Sequence, residues 1–505
     1  MTVHDDNHTF VGDREVTEAT PLVNTEQRTA IPPVEGYQRR VILVSFALLF
    51  FTGFGASLLG PGITVVLEQK ICHEIHAGLE AVDMDCKAPA VQGKLASIRG
   101  WETTMECLPG LVATVPYGIL SDKWGRHRVN TLAFIGFDLS MAFYFVVLYF
   151  DAIPVEALLA APMPMLLGGG VTVISAMVYT SIADIFPASA RARIFLQLSA
   201  LLIFSDLASS PLAGLILMRS TWCLMFLAFG LFIIATVTSL FLPDTLKLAE
   251  RKHDQHEILH DGGGTEPQDH HNSSPIRESI LRARKSVRDI HSFLSGHRQV
   301  IILTLCFVFV ALARLVQEML LQYTTKRYNW SWSKASFLLT TRSAVSLVAL
   351  VVILPALNHL LMTRAKMSVV QKDVWISCIT GLAGIIGALT IAFASNVPVL
   401  IIGLSVFAIN VGMTAVIRSL LSSMVESRHM GTLNSLIGVL EMVGLMVAAP
   451  ALFGSLRLGF EIGGNWIGLP FMLAAAMISV STAIVWFLPI GEKERPASSS
   501  HEDAV

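Results

Sequence analysis

Apolar runs of about 20 residues, the length that crosses a bilayer as a helix, recur from Val41 nearly to the end of this 505-residue chain. A first series falls at roughly 41–67, 100–120, 130–150, 157–182, 194–217 and 222–242. A second series falls at roughly 300–322, 335–361, 374–394, 397–424, 431–455 and 467–489. Between them, Leu246 to Arg298 is too polar for hydrocarbon. The pattern predicts an all-α integral membrane protein with twelve transmembrane helices in two six-helix halves. The halves are residues 40–244 and 299–489, joined by a cytosolic linker over 245–298 and flanked by polar tails at 1–39 and 490–505.

Cations orient the helices. Lys123, Arg126 and Arg128, then Arg191 and Arg193, then Arg364, Lys366 and Lys372, then Arg428, share a side with both tails and the linker, so both termini are expected in the cytosol. The opposite loops around Asp151, Ser395 and Gly463 are nearly free of cations, but Lys326, Arg327 and Lys334 run against the rule. Composition agrees with burial in lipid: 53% of residues are hydrophobic and 15% charged, too few charges to cover a soluble surface. A net charge of −2 offers no basic surplus for a nucleic-acid partner. The partners expected are the bilayer and a small-molecule substrate, with a monomer assumed. The polar opening residues hold no signal-peptide core, and the plasma membrane is the default location for this multi-pass chain.

An ionisable group inside a span costs at least a few kcal/mol on insertion scales unless it is paired or faces water, so such groups are pointers to mechanism. The candidates for proton or substrate sites are Glu106 in span two, Asp138 in span three, Asp206 in span five, Arg314 and Glu318 in span seven, Arg342 in span eight, Arg418 in span ten and Glu441 in span eleven. Arg314 and Glu318, four apart, share a helix face and are able to neutralise each other or to serve a substrate. Arg342, Arg418 and Glu441 need partners from other helices or a place on the central cavity. Asp206, mid-span, has the placement of a proton-linked acid.

Cys72 and Cys86 stand in the polar stretch after span one and are able to pair if that loop faces the outside, whereas Cys107, Cys223, Cys306 and Cys378 lie in apolar runs. Asn329-Trp330-Ser331 is a glycosylation sequon on the predicted outer side, close to the membrane. The linker histidines, His253 to His271, are irregularly spaced and read as solvated, so no metal site is expected. Ile276 to Leu294 reads as a basic amphipathic helix. No nucleotide-binding Gly-x-x-x-x-Gly-Lys-Ser/Thr loop and no catalytic cluster occurs, so the chain reads as a non-enzyme without cofactors, driven by an ion gradient, with protons the natural choice.

After span two the chain reads Gly118-Ile119-Leu120-Ser121-Asp122-Lys123-Trp124-Gly125-Arg126-His127-Arg128. Gly118 there would let helices approach, Gly125 would permit a tight turn, and Asp122 and Arg126 share one turn. This loop resembles the signature of the major facilitator superfamily, Gly-x-Leu-x-Asp-Arg/Lys-x-Gly-Arg-Arg/Lys, and the resemblance implies a conformational latch built from Gly118, Asp122, Lys123, Gly125, Arg126 and Arg128. The turn from Asp184 to Arg193 resembles the family's segment after span four, with Asp184 either a partner of the first loop's cations or a plain interfacial acid. The turn after span eight has no matching acid or glycine, so the latch is expected to be lopsided. Ser210-Pro211-Leu212-Ala213-Gly214 resembles a worn antiporter element in which Pro211 bends span five and Gly214 allows close packing. Leu242 to Thr245, Gln322 to Arg327 and Gly464 to Phe471 resemble fungal members of the superfamily. The resemblance implies proton-driven efflux of a metabolite or toxin. A proton-coupled importer of an anionic nutrient, using Arg342 and Arg418, and more remotely a non-transporting sensor, remain as alternatives.

Overall fold

The computed structural model describes residues 34–76, 85–186, 188–245, 298–310, 312–424 and 430–487. The linker with its basic amphipathic segment and histidines, the two tails and Arg428 lie outside them. All regular structure among the described residues is helical. The first half comprises α1 (Val34–Ile75), α2 (Pro89–Trp124), α3 (Arg126–Tyr149), α4 (Gly170–Ile185), α5 (Ala188–Leu217) and α6 (Thr221–Ser239). The second comprises α7 (Arg298–Val310), α8 (Leu312–Arg327), α9 (Trp332–Val348), α10 (Leu354–Thr363), α11 (Val369–Ala392), α12 (Val397–Ala408), α13 (Val411–Met424), α14 (Met430–Ile462) and α15 (Leu469–Phe487). The side of the molecule where α1 begins is called the terminus face below, and the side where it ends the loop face.

Among the described residues ten helical stretches are long and apolar enough to cross a membrane. The two further predicted spans are α2 and the pair α7–α8, which carry Arg99, Glu102, Glu106, Arg314 and Glu318. Three predicted spans are built from pieces, each for a local reason. Span four begins as 3₁₀ turns at Val155–Ala160 and Met163–Leu166, where Pro154, Pro162 and Pro164 withhold backbone donors. It becomes α4 only after Gly168, Gly169 and Gly170, all at positive φ; a Cβ on Gly168 would lie 2.5 Å from the Cα of Ala133 on α3. Span eight passes from α9 to α10 through a π-turn at Ala349–Ile353 just before Pro355, whose missing N–H interrupts the α-helical ladder. Span ten breaks between α12 and α13 at Ile409 and the buried Asn410.

Buried side chains form two cores. One joins α1 through α6 around Tyr144, Phe134 and Phe232. The other joins α7 to α9 and α11 to α15 around Phe307, Tyr323, Phe453 and Phe471, and takes Ala96 from the first half. The halves meet along α2 against α14 and α5 against α9. There Gly100 abuts Phe453, and Gly214 abuts Phe337, whose ring carbon would lie 3.0 Å from an added Cβ.

Candidate functional site

Arg99, Glu102 and Glu106 are spaced three and four apart on α2 and therefore share one face of it. That face turns toward the second half. Arg99 Nη1 donates to Glu102 Oε2 at 2.9 Å and Arg99 Nη2 to Glu318 Oε2 of α8, also at 2.9 Å, so one guanidinium joins the two halves. Glu102 is 1% exposed, and its other oxygen has no hydrogen-bond partner among the described residues. One turn further, Glu106 Oε1 accepts from the buried Tyr144 hydroxyl at 3.2 Å and lies within electrostatic reach of Arg99 and Glu318. Glu106 and Glu318 are both exposed. Carboxylates at mid-helix are not left in hydrocarbon, so their open sides front an aqueous interior.

Asp206 of α5 is the second polar centre. It accepts from Ser57 of α1, while the hydroxyl of Ser210 donates to its carbonyl at 2.6 Å. Arg342 of α9 faces it electrostatically across the half interface. Arg342 donates through Nη1 to Gln317 of α8, and its Nε is buried with no hydrogen-bond partner among the described residues. Span five, with Pro211 inside its helix, thus presents its acid to the interface and, a turn past the proline, Gly214 to α9.

The remaining predicted charges have other surroundings. Asp138 accepts from Thr236 of α6 at 2.6 Å, which ties α3 to α6 inside the first half rather than facing the second. Arg418 pairs with Glu441 at 2.6 Å and lies 5.5 Å from the Phe307 ring centroid, joining α13, α14 and α7. Glu318 is bonded to Arg99, and the Arg314 side chain, with its expected pairing to Glu318, lies outside the described residues. Among the described residues, no group of three or more His, Cys, Asp or Glu is placed to hold a metal ion.

At the terminus face Arg126 organises the predicted latch. It pairs with Asp122, donates to Ser121 Oγ at 2.6 Å, and reaches Asp184 Oδ2 at 3.3 Å. Asp184 also accepts from Thr245 at 3.0 Å, so the start of α3, the end of α4 and the segment after α6 converge on one carboxylate. Arg191 donates to the carbonyls of Ala183 and Phe186 at 2.6 and 3.2 Å and closes the end of α4. Gly125 has φ +94°, and a Cβ there would lie 2.9 Å from Asp244 Oδ1. Gly118 departs from expectation: a Cβ built there meets nothing within 4 Å among the described residues, so none of the described helices packs against it in this conformation. Lys123 and Arg128 are exposed and take no part in the hydrogen bonds around Arg126.

Two of the three cations that break the charge rule are consumed by backbone, whereas Lys334 is exposed. Arg327 donates to the carbonyls of Ala394 at 2.9 Å and Gly464 at 3.1 Å, and Lys326 donates to that of Lys87. They act as caps for chain ends on the loop face and leave the topology signal to the other loops. Asn329 is exposed at φ +52° in the turn before α9, where Ser331 caps that helix. Cys72 and Cys86 form a disulfide.

Sequence reading passed over Arg99 and Glu102 because the apolar run of span two opens at Gly100, and a charge at a run's edge reads as interfacial. The 99, 102, 106 spacing was the available signal.

The family described as Major Facilitator Superfamily matches residues 45–449. Similar curated proteins include "Efflux pump ustT" of Aspergillus flavus, 28% identical over 462 residues, covering 87% of this chain and 88% of that one. "MFS efflux pump atnC" of Emericella nidulans is 27% identical over 497 residues, covering 95% of this chain and 94% of that one. Among solved structures, a D-xylose-proton symporter superposes with TM-score 0.63 at 15% identity, covering 90% of this chain and 98% of that one. The human organic anion transporter MFSD10 superposes with TM-score 0.54 at 16% identity, covering 90% of this chain and all of that one. At such identities the structural likeness speaks to the fold alone.

Proposed function

Because this chain belongs to the major facilitator superfamily, we propose that it carries a small organic metabolite or toxin out across its membrane in exchange for protons, with the terminus face in the cytosol. Export is supported by two of the similar proteins, which are efflux pumps. The orientation is supported by the cations of the terminus face and by the Cys72–Cys86 disulfide on the loop face, since disulfides persist in oxidising compartments. The plasma membrane is the default for such a carrier.

The observation that carries the coupling is the sharing of Arg99. Three carboxylates, Glu102, Glu106 and Glu318, gather about one guanidinium where the halves meet. When the halves part, Glu318 leaves Arg99 and loses its counter-charge, so a proton binds most readily in the state that separates them. Glu106, solvated on one side and bonded to Tyr144, stays on the helix of Arg99 and is placed to pass a proton to Glu318. Asp206 and Arg342 then offer an acceptor and a donor to the substrate from opposite halves. The importer reading called on two cations, but Arg418 is paired with Glu441, which leaves it resting on Arg342.

The test uses membrane vesicles holding the whole protein with a transported compound. Glu106→Gln is expected to lower gradient-driven accumulation at least about tenfold, a change of roughly 1.4 kcal/mol, while exchange down the compound's own gradient persists. Gradient-driven accumulation by this variant at the parent rate would remove Glu106 from the coupling.

A further inference from the structure

We propose that Glu68, near the loop-face end of α1, is the carboxylate that locks the two halves together on that face, and that the Cys72–Cys86 disulfide keeps its first-half partners in place. The lock is independent of the direction of transport and of the compound carried; it requires only that the loop face open and close.

Glu68 is 5% exposed, so its charge needs full compensation. Two donors come from its own half: Lys87 Nζ at 2.6 Å and Gln92 Nε2, both on Oε1. The other oxygen accepts from Trp332 Nε1 at 2.7 Å, at the start of α9 in the second half. The same indole lies 4.5 Å from the Lys87 ammonium, a cation–π contact across the interface. Lys326 of α8 donates to the Lys87 carbonyl, and Gln322 donates to the Gln92 carbonyl at 2.8 Å. The lock therefore has a first-half part (Glu68, Lys87, Gln92) and a second-half part (Trp332, Lys326, Gln322).

The disulfide explains how the first-half part stays assembled. Cys72 follows Glu68 by one helical turn, and Cys86 immediately precedes Lys87; their Cα atoms are 5.1 Å apart. Gln92 Nε2 also donates to the Cys86 carbonyl at 2.9 Å. Lys87 and Gln92 are thus fixed beside Glu68 by a covalent link. When the loop face opens, Trp332, Lys326 and Gln322 withdraw, while Glu68 keeps the charge partner it needs. Without the link, closing would require the segment carrying Lys87 to be reordered at each cycle, an entropic cost.

Opening is read with a thiol at the buried contact between the halves. Thr104, 4% exposed with its hydroxyl 3.3 Å from the Met446 carbonyl, is replaced by Cys in the full chain, with Cys107→Ser and Cys223→Ser removing the nearest and the most exposed native thiols. An impermeant maleimide is then applied to the loop face of sealed membranes. Trp332→Phe, which deletes one N–H and little volume, is expected to speed labelling about tenfold, as the loss of one hydrogen bond to a charged group would. Glu68→Gln and the pair Cys72→Ser with Cys86→Ser are expected to do the same. Glu156→Gln, which breaks the 2.9 Å pair with Lys94 inside the first half, is expected to leave the rate unchanged. Parent-rate labelling in the Trp332 or Glu68 variant would overturn the lock, and parent-rate labelling in the cysteine pair would overturn the part given to the disulfide. Equal acceleration by Glu156→Gln would show general loosening and overturn both.

Discussion

Arg99 has a side chain only 12% exposed and holds a glutamate in each half of the molecule, yet it stands one residue before an apolar run. Its two partners differ in a way that separates stability from function. Glu102 is enclosed, so Arg99→Ala would strand a buried carboxylate, a loss of about 3–5 kcal/mol. The Glu318 side chain is 43% exposed, so Glu318→Gln should cost less than about 1 kcal/mol. The expected outcome is a large fall in the thermal midpoint of the solubilised protein for Arg99→Ala and a small one for Glu318→Gln. Equal falls would mean that the two contacts are enclosed alike. At this scale the sequence showed which groups are charged within spans but not whom they meet. Arg99 and Glu318 lie 219 positions apart, and no periodicity links them. Glu68 was hidden for a simpler reason, because the predicted first span stopped at residue 67.

Helices proved easier to read than their ends. Span ten matches its predicted bounds at 397–424, but α1 runs for 42 residues and α2 for 36, well beyond the ~20 that cross the hydrocarbon. Their outer turns are polar or amphipathic, and hydropathy alone does not extend a helix into water. The breaks in spans four and eight follow from proline and glycine, which the sequence displays, but whether a proline kinks, tightens or widens a helix depends on what packs beside it. The two latch glycines give opposed predictions. Gly125→Ala would force an L-residue to φ +94° beside Asp244 and should destabilise by about 1–2 kcal/mol. Gly118→Ala, with open space around it, should leave the midpoint unchanged. Thermal unfolding of both variants checks the pair; a destabilised Gly118→Ala would mean that a helix does approach that position.

On the scale of the whole molecule, polar contacts between halves run from Thr104 and Arg99 to Trp332 and Lys326 toward the loop face, with Arg457 of α14 donating to Ser97 of α2 at 3.4 Å. The latch bonds at Arg126 stay within the first half. This is the arrangement of a carrier closed at the loop face, in which the latch's engagement with the second half would belong to another state. Two halves and a carrier fold were legible from the apolar runs and one loop. The compound carried was not, because the candidate residues for it are scattered over α1, α2, α5, α8 and α9. The most direct measurement is an untargeted comparison of small molecules in medium and cell extract, with and without the protein, repeated after collapse of the proton gradient. Proton-driven export predicts a compound that builds up inside cells lacking the protein and also inside cells whose gradient is collapsed. A compound depleted inside when the protein is missing would contradict export and make the chain an importer.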